Sequence, residues 1–290
     1  MELLTVDGPL DLAATLESGQ AFRWRRLEPS PDESRWFESV AFGNLIHVRQ
    51  TSDGVEFTAS PGPESDVAPL LRDYLRLDED ITAVYEALEF DEHVQQGISS
   101  YPGLRILRQD PWECLASFIC SANNNIRRIE RNVEDMSTAF GSPVTETADE
   151  RRSFPTPAQL ANAGEASLRE LGLGFRAKYI AATAKRIAGA NIDLFALRLA
   201  PYQEALDVLT ELPGVGDKIA NCALLFSLDK PEAFPVDVWI DRALCDWHFT
   251  DAEKPIQRNR MRPWAQDRFG RHAGYANQYL FHSRRLEKRE

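Results

Sequence analysis

One lysine in this chain stands where a nucleophile would. Lys218 directly follows the turn Pro213-Gly214-Val215-Gly216-Asp217, and Asp237 comes nineteen residues later, just ahead of the apolar run Val238-Trp239-Ile240. An amine attacks carbon only when it is unprotonated, so a nucleophilic lysine needs burial or neighbours that disfavour its charge. A nearby carboxylate can stabilise the positive charge that grows as a leaving group departs. Gly214 and Gly216 permit the positive φ or close backbone approach that a tight hairpin between two helices requires. The second helix, opening near Asp217, leaves its first N–H groups free to meet a phosphate. Each feature also has a plainer reading. The turn fits an ordinary helix pair with Pro-Gly punctuation, Lys218 fits a solvated surface, and Asp237 fits a helix N-cap. Only six residues are lysines, however, and one of them sits in this turn.

The wider pattern resembles a known family. LPGVGDKIANC (212–222) followed by FPVDVW (234–239) is similar to the signature of the helix-hairpin-helix glycosylase superfamily. A lysine directly after the hairpin resembles the 8-oxoguanine DNA glycosylases within it. The likeness extends in order across SGQAFRWR (18–25), DPWECLASFICSANNNIRRI (110–129), LGLGFRAKY (171–179) and AGYANQYLF (273–281). It implies a DNA repair enzyme that excises 8-oxoguanine opposite cytosine from duplex DNA. Lys218 would be the nucleophile and Asp237 its assisting carboxylate, with a Schiff-base lyase step to follow. Such an enzyme must extrude its target base into a pocket. By the same resemblance Gly19 would accept the N7–H of the lesion, Phe281 and Cys222 would sandwich the base, and Asn277 would meet its Watson–Crick edge. Asn123, Arg128 and Arg176 would read the widowed cytosine, and Phe175 would fill the vacated stack. Gly214, Val215, Gly216, Trp239 and Arg284 would lie along the DNA backbone. No cofactor is implied, although a structural monovalent cation at the hairpin is compatible with the family.

Three positions depart from the family pattern. Asn277 stands where a glutamine is usual, and its shorter amide reaches less far. Trp239 replaces a histidine that touches a phosphate, and Arg284 replaces the aspartate that holds that histidine. Both members of one pair have changed, which marks Arg284 as a candidate for a rebuilt phosphate contact. Each site residue retains a plainer reading as well: Gly19 as a turn, Phe281 and Cys222 as core, and Arg128 as part of a salt-bridged face with Glu130 and Glu134.

The elements that must position these residues follow from periodicity. AFRWRR (21–26), RWFESV (35–40), NLIHVRQ (44–50) and VEFTAS (55–60) alternate or are rich in β-branched and aromatic residues, with turns at Gly43 and TSDG (51–54), so residues 1–60 read as antiparallel hairpins. From Asp66 the spacing turns helical with acidic starts, in DVAPLLRDYL, DEDITAVYEAL and DEHVQQGI. Helices are expected over 111–122, then from Ile126 up to Gly141, over TPAQLANAG and ASLRELGLG, and at 176–189, 201–211, 218–228, 238–248 and 273–286. A loop rich in Pro, Thr and Ser spans 142–157. The fold class is therefore α+β: an N-terminal antiparallel β-sheet subdomain with its following helices (1–100) packed on a mainly α-helical body (101–290) that holds the hairpin at about 202–228.

Composition sets the limits. At 290 residues the chain can bury a sizeable core, and its 43% hydrophobic and 27% charged content is ordinary for a globular protein. No run is long and apolar enough for a membrane span and the N-terminus is acidic, so a cytosolic or nucleoid-associated monomer is expected. The four cysteines form no C-x-x-C pair, so neither a zinc nor an iron–sulfur site is expected. The net charge of −12 is unusual for a DNA-binding protein. It is unevenly spread: residues 1–100 carry 20 acids against 7 bases, whereas from Lys254 onward there are 10 bases against 3 acids. The acidic, lysine-poor composition suggests a salt-adapted, archaeal member, whose grip on DNA would lean on backbone N–H groups, stacking and arginine hydrogen bonds. Two other classes stay open. An alkyl-purine glycosylase would lack the lysine and an endonuclease III type would carry a C-terminal cysteine cluster, while a non-catalytic hairpin module would need neither Lys218 nor a base pocket.

Overall fold

The computed structural model describes residues 1–28, 35–144, 151–189, 192–250 and 256–287. Lys254, Lys288, Arg289 and part of the 142–157 loop lie outside them. Five antiparallel strands form one sheet in the order β1-β5-β4-β3-β2, with β1 at Glu2–Thr5, β2 at Arg25–Arg26, β3 at Trp36–Ala41, β4 at Asn44–Thr51 and β5 at Gly54–Ser60. The β3–β4 and β4–β5 pairs are the expected hairpins, turning at Gly43 and at 51–54. In β4 the alternation is plain: Ile46 and Val48 are buried while Leu45 and His47 between them are not. The segment 21–26 contributes less strand than expected, since only Arg25–Arg26 pairs with β3.

Two apolar clusters divide the chain. The inner face of the sheet packs with α1 (Leu12–Glu17) and α2 (Glu64–Tyr74) through Leu12, Leu16, Phe37, Ile46, Phe57 and Leu71. The other cluster is helical and takes in α3 (Ile81–Ala87), α4 (Glu92–Ser100), α5 (Pro111–Cys120), α6 (Ile126–Phe140), α7 (Pro157–Glu170) and α8 (Arg176–Ala188). It continues through α9 (Tyr202–Thr210), α10 (Asp217–Ser227), α11 (Val238–Trp247), α12 (Arg258–Phe269) and α13 (Ala273–Leu286). Acidic starts do become caps, because Asp80, Asp91 and Asp110 each accept backbone N–H groups of the helix that follows. Thr156 and Gln159 form a reciprocal capping box at α7.

Two helices, α1 and α12, lie where no helix was expected. α1 is six residues long and capped by Asp11, too short to show a period inside a β-rich stretch. α12 buries only Met261, Ala265 and Phe269, a narrow i, i+4, i+8 stripe set among arginines and a proline. No helix among the described residues is long and apolar enough to cross a membrane.

Candidate active site

The hairpin is built from α9 and α10 and is held by α8. Gly214 has φ +78°, and a Cβ there would lie 2.5 Å from the Tyr179 ring, so both backbone and packing require glycine. Thr183 Oγ1 on the same helix donates to the Pro213 carbonyl at 3.0 Å. Gly216 needs no positive φ: it is the N-cap of α10 at φ −92° and ψ 179°, an extended conformation open to any residue, and a Cβ there would point into open space. Its value lies in that space, which lets another backbone approach. No side chain among the described residues caps the first turn of α10. The Val215 N–H is used within the turn, donating to Leu212 O at 3.1 Å.

Lys218 lies on the first turn of α10, half-buried against the end of α5. Its Nζ donates to Ser121 Oγ at 2.9 Å and sits 5.1 Å from the centre of the Phe118 ring. One turn further along α10, Cys222 is buried. Burial pushes its thiol up to about 11; the nearby Lys218 charge pulls it back and the Asp237 carboxylate adds to the rise. Cys222 thus stays a neutral thiol that feels both the Lys218 and the Asp237 charge. Asp237 is the N-cap of α11, as its place before VWI implied. One oxygen, Oδ1, accepts the N–H groups of Trp239 and Ile240, both at 2.9 Å. Neither Lys218 nor Asp237 forms an ion pair among the described residues.

A second group lies on α13 and just beyond α1. Gly19, just beyond α1, has φ +83°, and a Cβ there would fall 3.0 Å from Ile126 Cδ1 and 3.7 Å from the Phe281 ring. The glycine is fixed by its neighbour. Gln20 Nε2 donates to Thr15 O and Arg105 O, while its Oε1 accepts from Leu107 N–H at 2.9 Å. Phe281 is half-buried, with the Arg285 guanidinium 5.7 Å from its ring centre. One turn earlier Asn277 is buried, and its Nδ2 donates to Pro235 O at 2.9 Å, two residues before Asp237.

The third group is Asn123, Arg128, Phe175 and Arg176. Asn123 is exposed at φ 49°, and Phe175 is 45% exposed at the start of α8. Arg176 is buried and spans the gap between them, its Nε donating to Ala122 O at 2.8 Å and its Nη2 to Asn123 O at 2.7 Å. Its guanidinium also covers the Phe175 ring at 4.7 Å. Burial and the charge of nearby Arg128 both push Arg176 down from its ordinary value. Arg128 itself is exposed and reaches Gly172 O at 3.4 Å. Arg176 therefore serves as a strut between the two segments, with its donors spent on backbone carbonyls.

Comparison with known proteins places this arrangement. Residues 3–115 match the 8-oxoguanine DNA glycosylase N-terminal domain, and residues 116–266 match the HhH-GPD superfamily of base excision DNA repair proteins. The N-glycosylase/DNA lyase OGG1 of Arabidopsis thaliana is 32% identical over 94% of this chain and 76% of its own length. A probable N-glycosylase/DNA lyase of Methanothermobacter thermautotrophicus is 32% identical over 96% and 95% of the two chains. The 8-oxoguanine glycosylase/lyase of Clostridium acetobutylicum, solved with duplex DNA containing cytosine opposite 8-oxoguanine, superimposes with a TM-score of 0.89 at 28% identity, covering 99% of this chain and 100% of that one.

The chain belongs to the 8-oxoguanine DNA glycosylase family.

Two of the three departures from the family pattern, Trp239 and Arg284, are the positions expected along the DNA backbone. Trp239 is half-buried near the start of α11, with the Arg242 guanidinium 5.8 Å from its ring centre. Arg284 pairs with Asp246 and with Glu287, and stacks on Trp247 at 5.4 Å. Its charge is already matched twice, which weakens its candidacy for a phosphate. Asp217 beside the hairpin likewise pairs with Arg262 at 3.1 Å. A cleft of about 970 Å³ between the sheet and the helices, lined in part by Trp24, Tyr74, Trp112 and Phe195, contains none of the candidate site residues. Sequence reading missed Ser121. It is the C-cap of α5, and no local pattern links it to Lys218.

Proposed function

We infer that this chain excises 8-oxoguanine from duplex DNA and cuts the resulting abasic strand, with Lys218 as the nucleophile. Membership of the family supports the reaction class. The observation that carries the residue assignment is Lys218 itself, set at the mouth of the α5–α10 contact beside Cys222 and Asp237, with no ion pair among the described residues to neutralise it. The neutral amine attacks C1′ of the flipped nucleotide, and the N-glycosidic electrons leave with the base, which takes up a proton. Asp237 stabilises the positive charge on the sugar as that bond breaks. Opening of the deoxyribose gives a protonated Schiff base on Lys218. Loss of a C2′ proton then expels the 3′-phosphate, and hydrolysis frees the lysine.

The base would lie between Phe281 and Cys222, with the Gly19 carbonyl accepting N7–H and Asn277 offering Oδ1, since its Nδ2 is held by Pro235. Arg128 and the Asn123 side chain would read the cytosine opposite, with Phe175 in the vacated stack. The open first turn of α10 would take a phosphate. The Leu212 and Pro213 carbonyls each accept one protein hydrogen bond and keep a second lone pair, so the turn also suits a monovalent cation that would stiffen it. The enzyme is read as a cytoplasmic monomer without a required cofactor.

The test is incubation with a duplex carrying one 8-oxoguanine opposite cytosine, with borohydride present. Wild type should give a covalent adduct and Lys218→Ala none, with excision down by about a thousandfold or more. An adduct that persists in Lys218→Ala would move the nucleophile elsewhere. Because Asp217, Asp246 and Glu287 already pair with Arg262 and Arg284, binding should release few counterions there. Affinity measured from low to molar salt should therefore fall gently; loss of binding above moderate salt would refute that.

A further inference from the structure

The last turn of α5 presents Phe118 and Ser121, three residues apart, to α10. Lys218 Nζ touches both. Ser121 Oγ lies 2.6 Å from the Phe118 carbonyl, which can only accept, so the hydroxyl proton points there. Oγ therefore shows Nζ its lone pairs, and Nζ must donate. In a neutral amine this leaves one N–H and the nucleophilic lone pair for the remaining two directions. The Phe118 ring closes part of that space, and Cys222 lies close by.

We propose that Ser121 is a positioning residue: its hydroxyl, locked by the Phe118 carbonyl, fixes rotation about the Lys218 Cε–Nζ bond so that the lone pair faces the sugar carbon. The assignment rests on Lys218 being the nucleophile. An unrestrained ammonium stem samples several rotamers, and a reacting pair held in one geometry gains rate without gaining affinity. The competing account is local. A serine at a helix end often donates to the carbonyl three residues back, whatever stands opposite. That account ties Ser121 to the shape of α5 and predicts no effect specific to the chemical step.

The experiment compares wild type, Ser121→Ala, Ser121→Thr and Ser121→Cys in single-turnover excision and borohydride trapping on the 8-oxoguanine:cytosine duplex. Affinity is measured in parallel on a duplex with a tetrahydrofuran abasic analogue. Ser121→Ala should slow both excision and adduct formation by about tenfold or more, with affinity changed less than about twofold. Ser121→Thr keeps the hydroxyl and should recover most of the rate. Ser121→Cys keeps the shape with a weak acceptor and should remain slow, which decides the matter if the alanine variant does not fold. Wild-type rates in Ser121→Ala, or equal losses of rate and affinity that threonine does not restore, would overturn the proposal. Failure of the wild type to form an adduct would remove the nucleophile reading and this one together. A wild-type adduct with no effect of Ser121→Ala would remove only this one.

Discussion

Two of the places where polar side chains leave bulk water satisfy them in opposite ways. At the proposed catalytic corner, charges meet neutral groups: Lys218 meets a hydroxyl, and Asp237 meets two backbone N–H groups. Where the sheet meets the helices, charges meet charges. Glu38 on β3, its side chain 8% exposed, lies 2.6 Å from Arg25, 2.9 Å from Arg151 and 2.9 Å from His47. Arg151 continues to Glu134, which also faces Arg23. An ion pair satisfies its members and leaves little field for a third party. Neutral donors and acceptors orient a charge without cancelling it, so it remains available to a substrate. The first arrangement suits chemistry and the second suits cohesion.

That contrast breaks if the catalytic corner proves to be structural. Asp237→Asn keeps an oxygen that can accept the Trp239 and Ile240 N–H groups, so the α11 cap and the melting temperature should be close to wild type. Only the negative charge is lost, and excision should slow by about a hundredfold or more. Single-turnover rates beside thermal melts decide it; a variant that melts early with its rate intact would reverse the roles.

The paired region should respond the other way. Burial works against the Glu38 charge, but the His47 hydrogen bond and the charges of Arg25 and Arg151 outweigh it and hold the carboxyl at about 2, below its ordinary 4.5. A depressed carboxylate contributes stability that is present above its unfolded value and lost as pH falls through the folded one. Glu38→Gln should therefore cost on the order of 3 kcal/mol at pH 7 and progressively less below pH 4.5, with excision per folded molecule unchanged. Urea titrations across that range test it. A loss that is the same at pH 7 and pH 3 would mean that shape, not charge, was removed.

The sequence revealed the first region better than the second, for a physical reason. Lys218, Asp237 and Gly214 sit in a short stretch whose turn, cap and helix start are local, so spacing pointed to those elements and the family resemblance supplied the roles. The sheet was legible through β3, β4 and β5, whose β-branched and aromatic residues mark strands, with a clear alternation in β4. The Glu38–Arg151 pair joins residues 113 positions apart, and no local pattern announces it. Ser121 stayed hidden for a related reason, since its partner Lys218 lies 97 residues away. α12 escaped because its buried stripe is a single residue wide. The departures from the family pattern at Trp239 and Arg284 were visible, but the acids that occupy Arg284 were not.

Glu113 sharpens the comparison, because it is the member of the charged region with too few partners. It lies in the first turn of α5 and borders the cleft between the two clusters. Burial raises its carboxyl to about 7; Arg23 and Arg151 oppose the rise, but Asp110 and Glu134 add to it. The sign is opposite to that of Glu38. A carboxyl whose folded value exceeds its unfolded one contributes fully below the unfolded value, and that contribution is lost as pH rises through the folded value. Between about pH 4.5 and 7, then, the folded protein takes on a charge it holds poorly. Glu113→Gln removes that charge and should leave stability near wild type at pH 4.5. At pH 8 it should stabilise by on the order of 1 to 2 kcal/mol, reduced from the full shift because part of the side chain meets solvent. Urea midpoints of both proteins at pH 4.5 and 8 supply the measurement, and a gain that does not grow with pH would show that Glu113 is neutralised by its arginines after all. Since no candidate site residue borders that cleft, excision should follow wild type at both pH values, which separates cohesion from chemistry within one substitution.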